Sequence, residues 1–238
     1  MNLHPLFTLG ERLQLCASMV RPKANLADIG TDHAYLPIWL AKQGLITRAI
    51  AADINLGPMQ KAQHNIKRYR VQDIVSARLS DGLNAIFPFE ADDIVIAGMG
   101  GEMISQIITA APWLKDAQKR LILQPMTSVQ PLREFLAAQD FAIYDEQAVF
   151  EDGRVYTAIL AQYDSAGVRT GELYPYIGKL NNQTEANREY MRLRVINLEK
   201  RARGLSLSGK EKEAAELDGI IQKIRQIIET GRSNELNR

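Results

Sequence analysis

The sequence predicts an α/β protein whose parallel sheet ends in an antiparallel hairpin and is followed by a pair of helices. Three observations predict this fold. Strand-like apolar runs alternate with helical patterns from about residue 24 to 140, which is typical of right-handed βαβ units. The alternation stops near residue 141, where two strand-like runs flank an Asp-Gly turn. Beyond residue 190, apolar residues recur at spacings of three and four.

Five predicted strands alternate with four predicted helices in the sheet region. The strand runs are NLADI, RAIAAD, IVSARL, DDIVIAG and KRLILQP. The helical patterns that follow the first, second, fourth and fifth of them are LPIWLAKQG, GPMQKAQHNIKRYR, GGEMISQIITAA and VQPLREFLAAQ. This alternation predicts parallel strands that are covered by helices on both faces of the sheet. FAIYDEQAVF and RVYTAILAQY then follow each other without a helix, and the Asp-Gly pair of EDGR predicts the turn between them.

The C-terminal part of the chain predicts two helices packed as an antiparallel coiled-coil hairpin. Each helix has one apolar seam at coiled-coil spacing. The seams are Met191, Val195, Leu198, Ala202 and Leu205 on the first helix, and Leu217, Ile220, Ile224 and Ile227 on the second. Ser208 and Glu211 form an S-x-x-E pattern, which predicts a capping box at the start of the second helix. We therefore expect one domain over residues 1–164 and a helical domain over residues 165–238.

The composition is that of a globular protein with an apolar core. Apolar residues make up 46% of the 238 residues and charged residues 24%. The single cysteine, Cys16, excludes an internal disulfide and a multi-cysteine zinc site, and its apolar neighbours predict a buried side chain. His4, His33 and His64 lack metal-ligand spacing, so we expect no metal. Without an apolar run of about 18 residues or a basic-then-apolar leader, we expect a cytoplasmic protein that does not enter a membrane. The oligomeric state stays open.

Charge is distributed unevenly between the two predicted domains. Residues 1–164 contain 15 basic and 18 acidic residues, whereas residues 165–238 contain 14 and 10, a net charge of +4. A basic region favours a polyanionic partner that is held through its phosphates. Such charges are also typical of a solvated helix surface, which on charge alone is the simpler interpretation.

Acidic residues cluster where the predicted strands end. Asp28 and Asp32 lie in DIGTDHAYLP at the first strand, Asp53 lies at the end of the second and Asp81 follows the third. The carboxyl ends of parallel strands form the ligand-binding edge of a doubly wound sheet. Asp53 lies 25 residues after Asp28, where an acid can bind both hydroxyls of a ribose. The sequence therefore predicts a nucleotide-type cofactor at this edge.

The acidic loop favours one cofactor class over another. A dinucleotide places its pyrophosphate against a glycine-rich loop, but only Gly30 remains of that pattern. Asp32 would repel the phosphates by roughly 4 kcal/mol at about 4 Å and an effective dielectric of about 20. S-adenosylmethionine has no phosphate, and carboxylates attract its sulfonium and ammonium groups. The alternative is that Asp28 and Asp32 only cap the next helix, but four acids at successive strand ends favour the cofactor.

A glycine-rich turn follows the fourth strand. Gly98, Gly100 and Gly101 in IAGMGGEM leave the backbone bare, so that a flat base could approach it. A turn with only a packing role explains the sequence equally well. The turn lacks the Asn/Asp-Pro-Pro-aromatic sequence that many amino-group methyltransferases use, which argues against an exocyclic amine as the acceptor. We interpret His33 as a structural residue rather than a base, and Tyr35 as a packing residue.

Five segments together resemble the TrmK family of bacterial tRNA (adenine-22-N1)-methyltransferases. They are RLQLCASMV…NLADIGTDHAYLPIWL, AADINLGPMQKAQHNI, LSDGL, DIVIAGMGGEMI and LILQPM. DIG-T/S-DHAYLP and IAGMGG together are specific to this family. The resemblance covers nearly the whole chain, although the helical tail is patterned less tightly. It implies a class I methyltransferase fold, in which a Rossmann-like sheet of parallel strands is closed by an antiparallel hairpin.

The resemblance also implies a set of site residues. S-adenosyl-L-methionine would be bound by Arg12, Asp28, Gly30, Asp32, His33, Asp53, Asp81, Gly82 and Gly98. Gly98, Met99 and Gly100 would position the base and the methyl group, and Asp32 could stabilise the positive charge that develops on the base. The tRNA backbone would be held by the basic residues crowded on the first tail helix, which are Arg188, Arg192, Arg194, Lys200, Arg201 and Arg203.

The implied reaction is methylation of N1 of adenine 22 in the D-arm of tRNA. This nitrogen has a lone pair, so positioning can supply most of the catalysis and no general base is required. Because N1 lies on the Watson–Crick edge, the base must be unpaired or flipped into the pocket. Two alternatives stay open on the residues alone: a small-molecule methyltransferase with a dimerising tail, and a non-catalytic nucleotide-binding adaptor.

Overall fold

The structure, a computed structural model, describes residues 6–235, with side chains described as far as residue 230. Over this range the strands are β1 (Asn25–Ile29), β2 (Arg48–Asp53), β3 (Val75–Leu79), β4 (Asp93–Gly100), β5 (Arg120–Thr127), β6 (Phe141–Glu151) and β7 (Arg154–Tyr163). The helices are α1 (Glu11–Met19), α2 (Tyr35–Lys42), α3 (Leu56–Arg68), α4 (Gly101–Thr109), α5 (Val129–Ala138), α6 (Tyr174–Ile177), α7 (Glu185–Leu207) and α8 (Glu211–Glu235). Short 3₁₀ turns cover Pro88–Glu90 and Pro112–Leu114.

The strands form one mixed sheet in the order β3-β2-β1-β4-β5-β7-β6. β1 to β5 are parallel, and β7 inserts antiparallel between β5 and its hairpin partner β6. This confirms the predicted fold class, and the bounds of β1, β2 and β7 are those that the sequence predicts. The strand order reverses between β1 and β4, so a ligand-binding crevice is expected at the carboxyl ends of these two strands.

Apolar side chains form a core on each face of the sheet. Ile94 and Ile96 of β4 point into one cluster, which α4 and α5 cover, and the intervening Val95 lies in the other, which α1, α2 and α3 cover. Cys16 of α1 is fully buried in the second cluster, and burial raises the pKa of its thiol to about 12. The expectation of a buried cysteine is confirmed. Over residues 6–235, none of the helices is both long and apolar enough to span a bilayer.

Helices α7 and α8 form the predicted hairpin. The first predicted seam is buried from Met191 to Ala202, with Leu205 half-buried, and the second is buried as far as Ile224. Ile228, rather than Ile227, completes the buried stripe of α8, and Ile221 joins it. A straight helix has 3.6 residues per turn, so its buried face drifts away from a strict heptad pattern.

The predicted capping box between the two helices is wrong. Ser208 donates its hydroxyl to the carbonyl of Gly204 at 2.8 Å, and α8 begins at Glu211. Gly209 adopts φ +73°, and its N–H and that of Lys210 donate to carbonyls of the last turn of α7. This Schellman arrangement uses Ser208 to end the first helix instead of to begin the second.

A buried polar cluster joins the sheet to α7. Arg133 of α5 is fully buried, and its Nη2 donates to Glu146 of β6 at 2.6 Å and to the hydroxyl of Tyr190 of α7 at 3.2 Å. Its Nη1 donates to the carbonyls of Pro175 and Tyr176 in α6. Removing one partner of such a buried pair costs about 3–5 kcal/mol, so this cluster fixes the hairpin against the sheet. The domain boundary after residue 164 falls between β7 and α6, and it stays a prediction.

Candidate active site

The acids of three neighbouring strands lie at one edge of the sheet. Asp28 is the penultimate residue of β1, Asp53 is the last residue of β2, and Asp81 follows β3 by two residues. Gly98 lies near the end of β4, on the other side of β1. The structure therefore brings the predicted acids and the glycine turn to the same edge, which we call the cleft.

The loop after β1 has an unusual backbone. Gly30, His33 and Ala34 have φ values of +69°, +58° and +59°, in the left-handed region. The N–H groups of Gly30 and Thr31 donate to the carbonyl of Ala52 in β2 at 2.8 and 3.0 Å, which fixes the loop to the neighbouring strand. The N-cap position of α2 is Ala34, and no side chain caps this helix. The alternative in which the two loop aspartates cap α2 is therefore wrong.

Asp28 is a buried carboxylate on the floor of the cleft. Its side chain accepts a hydrogen bond from the Thr31 hydroxyl at 2.5 Å, and the residue is 5% exposed. Burial raises the pKa of Asp28 from 3.8 to about 6, the Thr31 hydrogen bond lowers the pKa, and nearby Asp32 raises it. At neutral pH the carboxylate is therefore ionised but poorly solvated. A cationic ligand would stabilise it.

Asp32 and His33 lie at the mouth of the cleft. The carboxylate of Asp32 is 80% exposed and lies 3.3 Å from Nε2 of His33. The carbonyl of His33 accepts a hydrogen bond from Asn65 of α3 at 3.0 Å, and its ring lies 3.5 Å from the hydroxyl of Tyr35. These contacts give His33 a structural role. They leave the Asp32 carboxylate open to solvent and to a ligand.

Asp53 and Asp81 flank the second and third strand ends. Asp53 is half-buried and accepts a hydrogen bond from the backbone N–H of Asn55 at 2.7 Å, which fixes its carboxylate. Asp81 is exposed, and the adjacent Gly82 adopts φ +52°. A side chain at Gly82 would also lie 3.2 Å from Ile107 of α4. The left-handed backbone and the nearby Ile107 therefore favour glycine at position 82, and the carboxylate at position 81 is open to a ligand.

The predicted turn after the fourth strand is wrong in its bounds, because Gly98, Met99 and Gly100 are the last three residues of β4 and Gly101 begins α4. This glycine segment contacts the loop after β1. A Cβ at Gly30 would lie only 1.9 Å from Cε of Met99, so the methionine packs directly against the bare backbone. Gly98 adopts φ +77°, and a Cβ there would meet nothing within 4 Å. The pairing of β4 with β5 shifts register on both sides of Met99, which marks a bulge at this point. A side chain at Gly101 would overlap the carbonyl of Ser128, which explains the last glycine of the motif by packing.

The sequence reasoning missed Gln124, which organises this turn. It is 1% exposed in β5, and its Oε1 accepts hydrogen bonds from the N–H of Gly98 at 3.1 Å and from Nη1 of Arg12 at 3.0 Å. Arg12 also pairs with Glu151, and its guanidinium lies 5.0 Å from the ring centre of Tyr156. Arg12 is therefore linked to Gly98 through one buried amide. The sequence did contain one signal for this role, because Gln124 is a polar residue within the otherwise apolar run LILQPM.

The candidate RNA-binding cations fall into two groups. Arg188 is buried and donates to Glu185 and to the carbonyl of Asn182, while Arg192 pairs with Glu185 and Glu189. The hydroxyl of Tyr190 accepts a hydrogen bond from Arg194 at 3.1 Å. The remaining three lie further along α7 and are exposed: Lys200, Arg201 and Arg203. The first group therefore forms hydrogen bonds and ion pairs within the protein, whereas the second group is exposed to solvent.

The described part of the chain offers no candidate metal-binding site. Residues 6–230 contain no group of three or more His, Cys, Asp or Glu side chains that could hold a metal ion. The cleft instead combines carboxylates with bare backbone. Such a site suits an organic cation with a flat ring.

Comparisons with known proteins identify the class and then the family. Residues 9–159 match the methyltransferase-domain family, which is the class that the sheet and the cleft define. Over 182 residues, the chain is 36% identical to the tRNA (adenine(22)-N(1))-methyltransferase of Bacillus subtilis (strain 168), a match that covers 73% of this chain and 76% of the relative. The chain therefore belongs to the TrmK family of methyltransferases, and the resemblance seen in its motifs is confirmed.

Two solved structures extend this likeness to the helical hairpin. The B. subtilis M1A22 tRNA methyltransferase TrmK matches with a TM-score of 0.80 and 28% identity, over 94% of this chain and all of that one. M. capricolum TrmK in complex with the cofactor product S-adenosyl-homocysteine matches with a TM-score of 0.75 and 26% identity, over 94% and 99% of the two chains. The fold therefore agrees beyond residue 159, where the family match ends.

Proposed function

We propose that this protein transfers a methyl group from S-adenosyl-L-methionine to N1 of adenine 22 of a tRNA. The observation that carries this proposal is the buried carboxylate of Asp28 beside the bare turn at Gly98, at the switch point of the sheet. The name of the B. subtilis relative gives N1 of adenine 22 in tRNA as the atom that it methylates. M. capricolum TrmK binds S-adenosyl-homocysteine, the cofactor product that remains after methyl transfer. Both support the proposal.

The residues of the cleft fit this cofactor. Asp28 is ionised, buried and bonded to a neutral hydroxyl, so an ammonium group would relieve its poor solvation. Asp53 presents a fixed half-buried carboxylate to ribose hydroxyls, and Asp81 with Gly82 forms the next strand end. Gly30 leaves the loop bare without offering the three-glycine surface that a pyrophosphate needs. When bound, the cofactor supplies an activated methyl group on a cationic sulfur.

Positioning is the principal catalytic contribution that these residues can make. Adenine N1 accepts a methyl group with its own lone pair, so no side chain has to remove a proton first. Gln124 holds the N–H of Gly98, and Met99 rests on Gly30, so the turn that receives the base has a fixed shape. Holding reactants in such an arrangement can supply about 7–11 kcal/mol of the barrier. The exposed Asp32 carboxylate can stabilise the positive charge that the methylated base acquires.

The helical hairpin supplies a surface for the tRNA backbone. Its exposed cations, Lys200, Arg201 and Arg203, lie on the helix that the buried Arg133 cluster fixes against the sheet. Phosphate contacts of this kind set the orientation of a nucleic acid without reading its sequence. The hairpin therefore orients the tRNA, while the cleft selects the base and the atom.

The test is nucleoside mass spectrometry of tRNA that has been incubated with the purified protein and S-adenosyl-L-methionine. We expect 1-methyladenosine to appear in proportion to added enzyme. The Asp28→Ala variant is the matched control, because it keeps the hairpin and loses the buried carboxylate, and it should give no product above background. Methylation of small nucleosides alone would favour a small-molecule enzyme, and no methyl transfer to any acceptor would favour a non-catalytic adaptor.

A further inference from the structure

An apolar groove lies beside residues 98–101, the glycine segment where β4 meets α4 that we call the catalytic turn, and it extends to the helical hairpin. Its volume is about 710 Å³, and it lies between the end of β5, the tip of the β6–β7 hairpin and the first half of α7. Its β5 end begins at Pro125 and Thr127, which pair with Met99 and Gly100 of the catalytic turn. One end of the groove therefore lies on the strand next to the proposed site of methyl transfer.

Large apolar side chains line this groove although they are open to solvent. Phe150 is 44% exposed and Leu193 is 42% exposed. These side chains come from β6 and α7, so two separate elements place them on one concave surface. Exposed apolar surface of this kind marks a binding site more often than an isolated exposed leucine does.

Aromatic and cationic groups in the groove suit a nucleobase. The ring of Phe150 provides an aromatic surface on the side of the β6–β7 hairpin that faces α7, and exposed Arg154 lines the same groove. Bases that are unstacked in RNA bind by stacking on aromatic rings and guanidinium planes. The Thr157 hydroxyl, buried in the same lining, lacks a hydrogen-bond partner among the described residues. A base offers both a flat face and a polar edge, whereas a purely apolar ligand offers no polar edge.

We infer that this groove binds an unpaired base of the tRNA next to the target adenine. This inference rests on the proposed function and adds a second nucleotide site to it. The base stacks on Phe150, and its phosphate lies towards Arg154. Because the groove begins on the strand next to the catalytic turn, an occupied groove would hold the neighbouring adenine out of its helix and in front of the cleft. Groove binding thus supplies part of the energy that base flipping requires.

Two substitutions and one matched control test the groove. Phe150→Ala should raise the KM for tRNA at least fivefold and leave the Kd for S-adenosyl-L-methionine unchanged, because the side chain is far from the acids of the cleft along the sheet. Phe150→Trp, which retains a stacking surface, should restore at least half of the lost tRNA affinity. Tyr144→Ala removes an exposed aromatic side chain from the same strand outside the groove, and it should change neither constant.

A change in the tRNA completes the test. A tRNA with an abasic site on one side of adenine 22 should show the same increase in KM with the unchanged enzyme, and Phe150→Ala should then add nothing further. Equal tRNA affinity of Phe150→Ala and the unchanged protein, or no effect of an abasic site on either side of adenine 22, would overturn the inference. Methyl transfer by the unchanged enzyme tests the proposed function separately, and tRNA affinity is measured by direct binding whether or not methyl transfer occurs.

Discussion

The cleft and the helical hairpin differ in how they are built. At the cleft the backbone adopts positive φ at Gly30, His33, Ala34, Gly82 and Gly98. In α7 and α8 the backbone is regular, and specificity lies in packed seams and ion pairs. The difference indicates that an added side chain overlaps Met99 at Gly30 and crowds Ile107 at Gly82, whereas the hairpin tolerates changes on its exposed face. Predictions about the two regions should therefore differ in kind and in size.

The largest effect is expected from a single added methyl group in the cleft. Gly30→Ala would place Cβ 1.9 Å from Cε of Met99 and would strain the backbone at φ +69°, so the end of the Met99 side chain must move out of its position in the cleft. We expect methyl transfer to fall by at least about a hundredfold, since small misplacements of reacting groups have effects of this size. Methyl incorporation at saturating cofactor measures the change.

The control for this prediction separates backbone strain from overlap. Gly44 after α2 has φ +67°, and a Cβ there would meet nothing within 4 Å. Gly44→Ala should cost about 1–2 kcal/mol of stability from the left-handed conformation and leave methyl transfer intact. If the two variants lost activity equally, the cleft would not be the more sensitive region.

The next largest effect is expected from reversing the exposed charges of the hairpin. Changing Lys200, Arg201 and Arg203 to Glu should weaken tRNA binding by about thirtyfold at low salt and reduce the slope of log affinity against log salt by about 3. Cofactor affinity should not change, because these residues are on the distal part of α7. Filter binding over a salt series and calorimetry with the cofactor measure the two quantities.

Reversal of three other exposed lysines gives the matched control. Lys42, Lys61 and Lys67 lie on α2 and α3, away from the hairpin, and their reversal changes the net charge by the same amount. If this control weakened tRNA binding as much as the hairpin variant, the effect would come from total charge, and the hairpin would have no special role.

A smaller effect is expected at Asp53. A charge-assisted hydrogen bond contributes about 1.5–3 kcal/mol, so Asp53→Ala should weaken S-adenosyl-L-methionine binding at least tenfold in calorimetry. Asp73→Ala removes an exposed aspartate in the turn before β3, at the opposite edge of the sheet, and serves as the control. Unchanged affinity of Asp53→Ala would remove this residue from the cofactor site.

The smallest effect is expected from pH. Burial raises the pKa of Asp28 to about 6, and a cationic cofactor binds the ionised form, so affinity should fall as pH falls through this value. At pH 5.5 we expect binding to be about fourfold weaker than at pH 8. Asp28→Asn should bind weakly at both values, without this dependence. The stability of the ligand-free protein should change in the opposite direction with pH. Because the pKa of this carboxyl is raised in the folded state, the carboxyl favours folding more below about pH 4 than above pH 6.

The sequence was sufficient where a single physical signal dominated. Buried parallel strands form nearly continuous apolar runs, so the bounds of β1 and β2 could be predicted to the residue. The acids of the cleft were predictable because strand ends meet at one edge of the sheet. The predicted capping box failed because Ser208 satisfies the end of α7 through a contact with Gly204, and the local pattern does not state which helix end a serine serves.

Residues with several partners could not be interpreted from the sequence. Gln124 lies within an apolar strand, and its role depends on Gly98 and on Arg12, which is 112 residues away in the chain. Arg188 contributes to the basic charge of the tail, but its guanidinium is buried against Asn182 and Glu185. Charge counts and periodicity describe neither burial nor pairing, so such roles emerge only from the fold.

The most direct measurement of the central claim compares two tRNAs that differ at one base. Purified protein and labelled S-adenosyl-L-methionine are incubated with a tRNA that has adenine 22 and with the same tRNA in which this base is guanine. We predict methyl incorporation into the first only, with 1-methyladenosine as the product identified by mass spectrometry. Equal incorporation into both, or N6-methyladenosine as the product, would contradict the assignment of adenine N1 even for an active methyltransferase.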